Sequence, residues 1–113
     1  MAAMDVTESQ MVAFNIIMHS GNARAIVHEA MDAMREGNFE EADVKLQEAE
    51  DALVEAHKSQ TDLLQEFARG TDILIQIIMV HAQDHLMTTM TLKEIALELK
   101  EVYKKISALE AKA

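Results

Sequence analysis

Two histidines, an amide and a carboxylate lie close together in the second half of the chain. His81, Gln83, Asp84 and His85 belong to the run His-Ala-Gln-Asp-His-Leu-Met-Thr, which ends at Thr88. A neutral imidazole keeps a free ring lone pair near neutral pH, so a histidine can act as a nucleophile or as a metal ligand. Residues four apart share one face of a helix, so the two histidines are expected to be neighbours. The run therefore predicts a functional site, although a helical histidine can also be purely structural.

Asp84 is the one charge within a stripe of apolar or hydroxylated helix positions. A lone carboxylate in such a stripe is costly unless it is paired, protonated or bound to a cation. Around a threefold axis of parallel helices, three Asp84 carboxylates would meet and could hold a hard cation. The flank with His81 and His85 would then approach the Gln83 flank of the next copy. If the stripe is exposed, Asp84 is an ordinary surface residue. The stripe consists of Ile77, Val80, Met87, Thr88, Thr91 and Ile95.

Capping signals and a glycine define the first two helices that must position this run. Thr7 and Gln10 have the spacing of a capping box, so the first helix is expected to start there. Gly37 is expected to end it in a left-handed conformation. Asn38 with Glu41 has the spacing to cap the second helix. The expected buried face of that helix consists of Ala42, Leu46, Ala49, Leu53, Ala56, Gln60, Leu64 and Phe67.

A second glycine separates the second helix from the third, which carries the histidines. Gly70 is expected to end the second helix, and Thr71 or Asp72 is expected to cap the third. The apolar periodicity predicts that the third helix runs from about Ile73 to about Ala108. Short loops place neighbouring helices antiparallel. The sequence therefore predicts an all-α fold, an antiparallel three-helix bundle.

Composition excludes several classes of function. The 113 residues form a single domain, in which residues 1–6 are expected to be disordered. A formal charge of −10 argues against nucleic-acid binding and against a basic membrane-surface helix. The chain has no cysteine. The longest apolar run, Ile73 to Val80, is far shorter than the ~20 residues of a membrane span. With no secretion signal, the expected location is the cytoplasm.

The first half of the predicted third helix is apolar on nearly every side. A helix that is hydrophobic all round must be covered all round, and two partner helices cannot cover it fully. The remaining cover is expected to come from other copies of the same chain. We therefore expect a homotrimer, which would form a nine-helix bundle.

The run from His81 to Thr88 resembles the phosphorylation-site segment of the lactose/cellobiose-type enzyme IIA of the bacterial phosphoenolpyruvate-dependent sugar phosphotransferase system. Two other parts of the chain share this resemblance, which covers roughly residues 10 to 105. Ala82, where the lactose branch has glycine, favours the cellobiose or chitobiose branch. The other matching segments are Ser20-Gly21-Asn22-Ala23-Arg24, Glu29-Ala30, Gly37-Asn38-Phe39 with Ala42, and Ala56-His57 with Gln60-Thr61.

The resemblance implies specific roles for two residues of the run. His81 corresponds to the family's phosphorylated histidine, and Asp84 to the aspartate that coordinates a divalent metal ion, expected to be Mg²⁺, on the trimer axis. The family is a trimer of three-helix protomers. Its members are phosphotransferase components that take a phosphoryl group from HPr and pass it to the cognate IIB. IIB then phosphorylates a sugar that enters through the membrane component IIC, here expected to be a β-linked disaccharide such as cellobiose, chitobiose or lactose. Gln83 and His85 are expected to orient His81 and the transferred group by hydrogen bonds.

The alternative is a non-enzymatic helical bundle that binds metal or serves as a scaffold, with His81, Asp84 and His85 as ligands. Ferritin-like bundles, however, repeat Glu and Glu-x-x-His motifs on several helices. Glu48 and Glu55 do not supply that pattern. The carrier reading is therefore favoured.

Overall fold

The computed structural model describes residues 3–113, which form three long helices in an elongated bundle of 67 × 20 × 20 Å. Helix α1 spans Val6–Arg35, α2 spans Phe39–Ala68 and α3 spans Ile77–Lys112. The described residues contain no strand, only an isolated bridge between Ala3 and Asp72. The predicted all-α three-helix fold is confirmed. Over the described residues, none of the helices is both long and apolar enough to cross a membrane.

Contacts between side chains define the direction of each helix. As the residue number on α2 falls from Gln60 to Glu50, the number of its partner on α3 rises from Gln83 to Lys93. These two helices are therefore antiparallel, and the pairs Asn15–Ser59 and Glu29–Lys45 show the same for α1 and α2. Helices α1 and α3 run parallel. Since α1 contacts both other helices extensively and they contact each other less, a shallow groove remains between α2 and α3.

The first helix begins earlier than its capping box predicted. The Asp5 side chain accepts a hydrogen bond from the Glu8 backbone N–H at 2.8 Å, so Asp5 is the N-cap and Thr7 lies inside α1. An aspartate at this position also places a negative charge beside the positive end of the helix dipole. Of the residues predicted to be disordered, Met1 and Ala2 lie outside the described residues. Ala3 pairs with Asp72, which brings this end of the chain against the α2–α3 connection.

The two glycines behave as predicted, but their neighbours do not all act as caps. Gly37 has φ +80° and Gly70 has φ +94°, the left-handed conformation that ends helices. Asn38 is at the N-cap of α2 without a side-chain capping bond. The hydroxyl of Thr71 donates to the Glu66 carboxylate at 3.0 Å rather than capping α3.

The prediction that α3 begins at about Ile73 is wrong. Residues 73–76 are not helical, and the N-cap of α3 is Gln76. Contacts with α1 and the N-terminal residues explain the difference: the Ser9 hydroxyl donates to the Leu74 carbonyl at 3.1 Å, and the Met4 N–H donates to the Asp72 carbonyl at 3.0 Å. These carbonyls would otherwise be available for the first turn of a longer helix. Residues 73–76 of the apolar run thus form an irregular segment at the end of the bundle instead of the first turn of α3.

The core is aliphatic and consists of two clusters along the bundle. On α2 the buried residues follow the predicted face as far as Ala56, after which Leu63 is buried while Leu64 and Phe67 are largely exposed. The buried face continues from Ala56 to Leu63, seven residues or two helical turns later. The prediction placed Leu64 on this face instead, so it was wrong by one residue at the end of the helix. Both clusters combine small and aliphatic residues from all three helices. The first includes Ala13, Ile16, Leu53, Met79 and Leu86, and the second Val27, Met34, Leu46, Ala49 and Ala96.

Candidate functional site

His81 lies on the second turn of α3, with its side chain exposed, and His85 follows one turn later, half-buried. Their ring centroids are 5.7 Å apart and the ring planes are inclined at 87°, so the rings meet edge to face. The two histidines are therefore neighbours on one side of the helix, as predicted. The arrangement leaves His81 open to a large partner while His85 supports it from the bundle side.

His85 packs directly against α1. Its Cε1 lies 3.8 Å from the point that a Cβ on Gly21 would occupy, an ordinary contact distance. The ring nitrogen Nδ1 of His85 is buried and has no hydrogen-bond partner among the described residues. His85 is therefore set into the seam between α1 and α3, where its orientation depends on both helices.

Gln83 lies on the opposite flank of α3, facing α2. Its side-chain oxygen accepts a hydrogen bond from Gln60 Nε2 at 2.5 Å, and its own Nε2 lies 3.7 Å from Met79 Sδ. Gln60 Nε2 also lies 3.8 Å from Met87 Sδ. Within one protomer, therefore, Gln83 does not meet His81. A hydrogen bond from Gln83 to a group carried on His81 would need a second copy of the chain.

Asp84 is exposed and lies on the outer face of α3, between the two flanks. Its carboxylate makes no hydrogen bond or ion pair with the described residues. The neighbouring Thr88 hydroxyl donates to backbone carbonyls instead, that of Asp84 at 2.8 Å and that of His85 at 3.3 Å. The apolar members of the surrounding stripe are open in the protomer. Their exposed fractions are 88% for Ile77, 55% for Val80, 49% for Met87 and 50% for Ile95.

One protomer does not form a metal site by itself. Residues 3–113 contain no group of three or more His, Cys, Asp or Glu side chains placed to hold a metal ion. The alternative of a metal-binding bundle therefore finds no such site within a single chain.

Three residues near the histidines were not identified as site candidates from the sequence. Gln60 was assigned to a packing face, but it holds Gln83. Ser20 and Thr89 have no exposed surface, and their hydroxyls have no partner among the described residues. Both occupy ordinary core positions of their helices. Their position near His85 depends on how α1 and α3 pair, which periodicity along one helix does not encode.

Comparison with known proteins places this geometry in context. Residues 11–104 match the model of the family described as PTS system, Lactose/Cellobiose specific IIA subunit. The lichenan-specific phosphotransferase enzyme IIA component of Bacillus subtilis is 46% identical over 88% of this chain and 91% of its own length. The crystal structure of PtcA from S. mutans has a TM-score of 0.88 and 66% identity, and the match covers 89% of this chain and 99% of that one.

A chain of a solved complex is also similar to this protein. The structure of IIA(Chitobiose) with HPr, from the N,N'-diacetylchitobiose branch of the Escherichia coli phosphotransferase system, has a TM-score of 0.75 and 33% identity. The match covers 88% of this chain and 97% of that one.

Proposed function

Because the chain belongs to the lactose/cellobiose-specific IIA family of the sugar phosphotransferase system, we propose that it carries a phosphoryl group on His81. The donor is HPr, the partner in the complex of the chitobiose relative. The acceptor is the cognate IIB, which phosphorylates a β-linked disaccharide as it enters through the membrane component IIC. The protein is thus a phosphotransferase component that works in the cytoplasm and does not itself touch the membrane or the sugar.

The chemistry needs little more than an accessible imidazole. A lone pair of the His81 ring attacks phosphorus, and the N–P bond to the donor histidine breaks, so that HPr regains its ring lone pair. In the second transfer His81 is the leaving group, and the acceptor on IIB forms the new bond. Positioning and electrostatic stabilisation of the three phosphoryl oxygens account for most of the catalysis in such transfers. Hydrogen-bond donors beside His81 are the groups expected to supply it.

The exposure of His81, next to a half-buried second imidazole, is the observation that carries this proposal. A carrier must present the same nitrogen to two different proteins, so the acceptor has to be open. A supporting donor, by contrast, must be fixed in place, and the position of the half-buried His85 ring, facing α1 at Gly21, provides that support. His81 is therefore the accessible acceptor, and His85 is the hydrogen-bond donor that is held in place.

The proposed assembly is a homotrimer around the outer face of α3. Association would cover the stripe around Asp84 and bring the Gln83 flank of one copy toward the His81 flank of the next. Since one protomer keeps Gln83 apart from His81, this assembly would complete the site. The three Asp84 carboxylates would then hold a shared Mg²⁺, whose charge would neutralise their mutual repulsion. The His81 ring lies on a flank of α3, so phosphoryl transfer does not pass through that cation.

Intact-mass analysis tests the assignment of the acceptor. After incubation with phosphoenolpyruvate, enzyme I and HPr, we expect one acid-labile phosphoryl group per chain. His81→Gln should abolish the added mass, because no other group is proposed to accept it. His57→Gln, at an exposed histidine on α2, is the matched control and should behave as the parent. Phosphorylation that persists in His81→Gln and disappears in His85→Gln would show that His85 is the acceptor instead.

A further inference from the structure

Partnerless polar atoms are concentrated around His85. Among the described residues, four buried side-chain oxygen or nitrogen atoms have no hydrogen-bond partner: those of Ser20, Gln76, His85 and Thr89. Ser20 precedes Gly21, the residue of α1 that faces the His85 ring, and Thr89 lies one helical turn after His85 on the same side of α3. Three of the four atoms therefore belong to residues of α1 and α3 that lie within one helical turn of the place where Gly21 faces His85.

The two hydroxyls among these atoms are unusual for the core that surrounds them. Ser20 and Thr89 have 0% exposure, and the core clusters beside them are otherwise aliphatic. Ser9 is the other buried polar residue among residues 3–113, and its hydroxyl donates to the Leu74 carbonyl. Buried hydroxyls are normally paired because an unpaired one disfavours folding. Ser9 serves the fold in this way, but no such contact accounts for Ser20 and Thr89.

We propose that Ser20 and Thr89 are positioning residues that act on His81 through His85. In this arrangement both hydroxyls donate to one shared water molecule, which in turn donates to Nδ1 of His85 and so holds the ring proton on Nε2. A neutral imidazole has one donor and one acceptor nitrogen, so a donor fixed on Nδ1 selects the Nε2–H tautomer. This inference rests on the proposed function only for its consequence at His81.

That consequence concerns the transferred group. With its proton on Nε2, His85 can donate a hydrogen bond to a phosphoryl oxygen on the neighbouring His81, where negative charge must be stabilised. The opposite tautomer would present a lone pair to the same oxygen and repel it. A hydroxyl suits this role better than a backbone carbonyl, which can only accept and would hold the proton on Nδ1.

Nuclear magnetic resonance of the ¹⁵N-labelled full chain tests the tautomer directly. In the parent protein at a pH where His85 is neutral, long-range ¹H–¹⁵N correlations should show the proton on Nε2 of His85. Ser20→Ala and Thr89→Val should each produce a mixture of tautomers, because part of the donor set is removed. Ser9→Ala is the matched control and should leave the His85 signals unchanged. A parent spectrum with the proton on Nδ1, or unchanged spectra in both variants, would overturn the proposal.

A pair of substitutions at Thr89 separates hydrogen bonding from packing. Valine keeps the shape of threonine without the hydroxyl, whereas serine keeps the hydroxyl without the methyl group. We expect Thr89→Val to slow phosphoryl transfer from phosphorylated HPr about tenfold, because the variant loses the hydrogen bond that orients His85. Thr89→Ser should melt lower but transfer within about twofold of the parent. The reverse pattern, with slow transfer only in Thr89→Ser, would mean that Thr89 acts by packing.

The two proposals fail in different ways. A parent protein that accepts no phosphoryl group from HPr would refute the proposed function, while the spectra would still decide the tautomer. A parent that accepts the group normally, together with a Thr89→Val variant that transfers at the parental rate and keeps the parental spectrum, would refute the positioning role alone.

Discussion

The two ends of the bundle use different interactions to hold the same three helices together. We call residues 24–52 and 92–113 the hairpin half, and residues 3–23 and 53–91 the histidine half. In the hairpin half, ion pairs join the helices. They are Glu29–Lys45 at 3.0 Å, Asp43–Lys100 at 2.8 Å, and Glu50–Lys93.

In the histidine half, neutral hydrogen bonds take their place. Asn15 accepts from the Ser59 hydroxyl at 2.6 Å, and Gln83 accepts from Gln60 at 2.5 Å. No ion pair between helices is found in the described part of this half. All the buried polar atoms without a partner, named above, also lie here.

This difference indicates that the two halves of the bundle are subject to different functional constraints. If His81 accepts a phosphoryl group as proposed, carboxylates fixed in the seams beside it would repel that group, because like charges at close range repel strongly where water is scarce. Amides and hydroxyls can set the register of the helices without that penalty. The hairpin half carries no such restriction and can use charges. In this interpretation, the histidine half gives up some stability so that polar groups remain available to the site.

Core truncation should give the largest effects and should test whether function is confined to one half. Leu86 is fully buried in the histidine half and Leu46 is 6% exposed in the hairpin half. Either leucine changed to alanine should lose about 2–5 kcal/mol of unfolding free energy, measured by chemical denaturation at one protein concentration. Only Leu86→Ala should also slow phosphoryl transfer, because Leu86 follows His85 on α3. If Leu46→Ala slowed phosphoryl transfer equally, at a temperature well below the melting transitions of both variants, function would not be confined to the histidine half.

Asp84 provides the next largest effect and concerns the face that both halves share. We expect Asp84→Leu to remain trimeric by sedimentation equilibrium, at three times the 12.6 kDa chain mass. In chelator it should be more stable than the parent by about 1–4 kcal/mol, because packed apolar groups replace mutually repelling charges. His81 should still accept a phosphoryl group, since it lies on the flank.

The parent protein in chelator is the control for Asp84→Leu. A mutant that melts lower than this control, or that dissociates into monomers, would mean that Asp84 makes a required polar contact. A parent that is monomeric at micromolar concentration would refute the trimer and the shared site together.

The hairpin half was the easier half to predict from the sequence. Gly37 and the alternating alanines and leucines of α2 are local signals, and the structure agrees with both there. The run at His81 could also be identified, because its polar residues are not needed for packing. Periodicity and capping rules depend on residues that are close together along one helix, so they succeed where such local signals determine the structure.

Two of the errors in the histidine half share one cause. The start of α3 was predicted too early because Ser9 and Met4 hold the segment before it, and these contacts join residues far apart in sequence. The burial of Ser20 and Thr89 without hydrogen-bond partners was not predicted, for the same reason. Tertiary contacts override local propensity at such positions, and a single helix pattern cannot reveal them.

The smallest expected effect concerns a single ion pair of the hairpin half. The hydrogen bond from Lys100, with help from its charge, holds the pKa of the Asp43 carboxyl below its ordinary value of 3.8. Because the folded-state pKa is lowered, the pair contributes stability above pH 3.8 and loses that contribution as the pH falls through the folded-state pKa. Asp43 is 54% exposed, so Asp43→Asn should cost only about 0.2–1 kcal/mol at neutral pH. Urea denaturation of both proteins at several pH values should show this gap closing in acid, while phosphoryl transfer at neutral pH stays unchanged. Asp62→Asn, at an exposed aspartate of the histidine half without an ion pair among residues 3–113, is the control. A gap of the same size and pH dependence in that control would show that the pairing with Lys100 is not the cause.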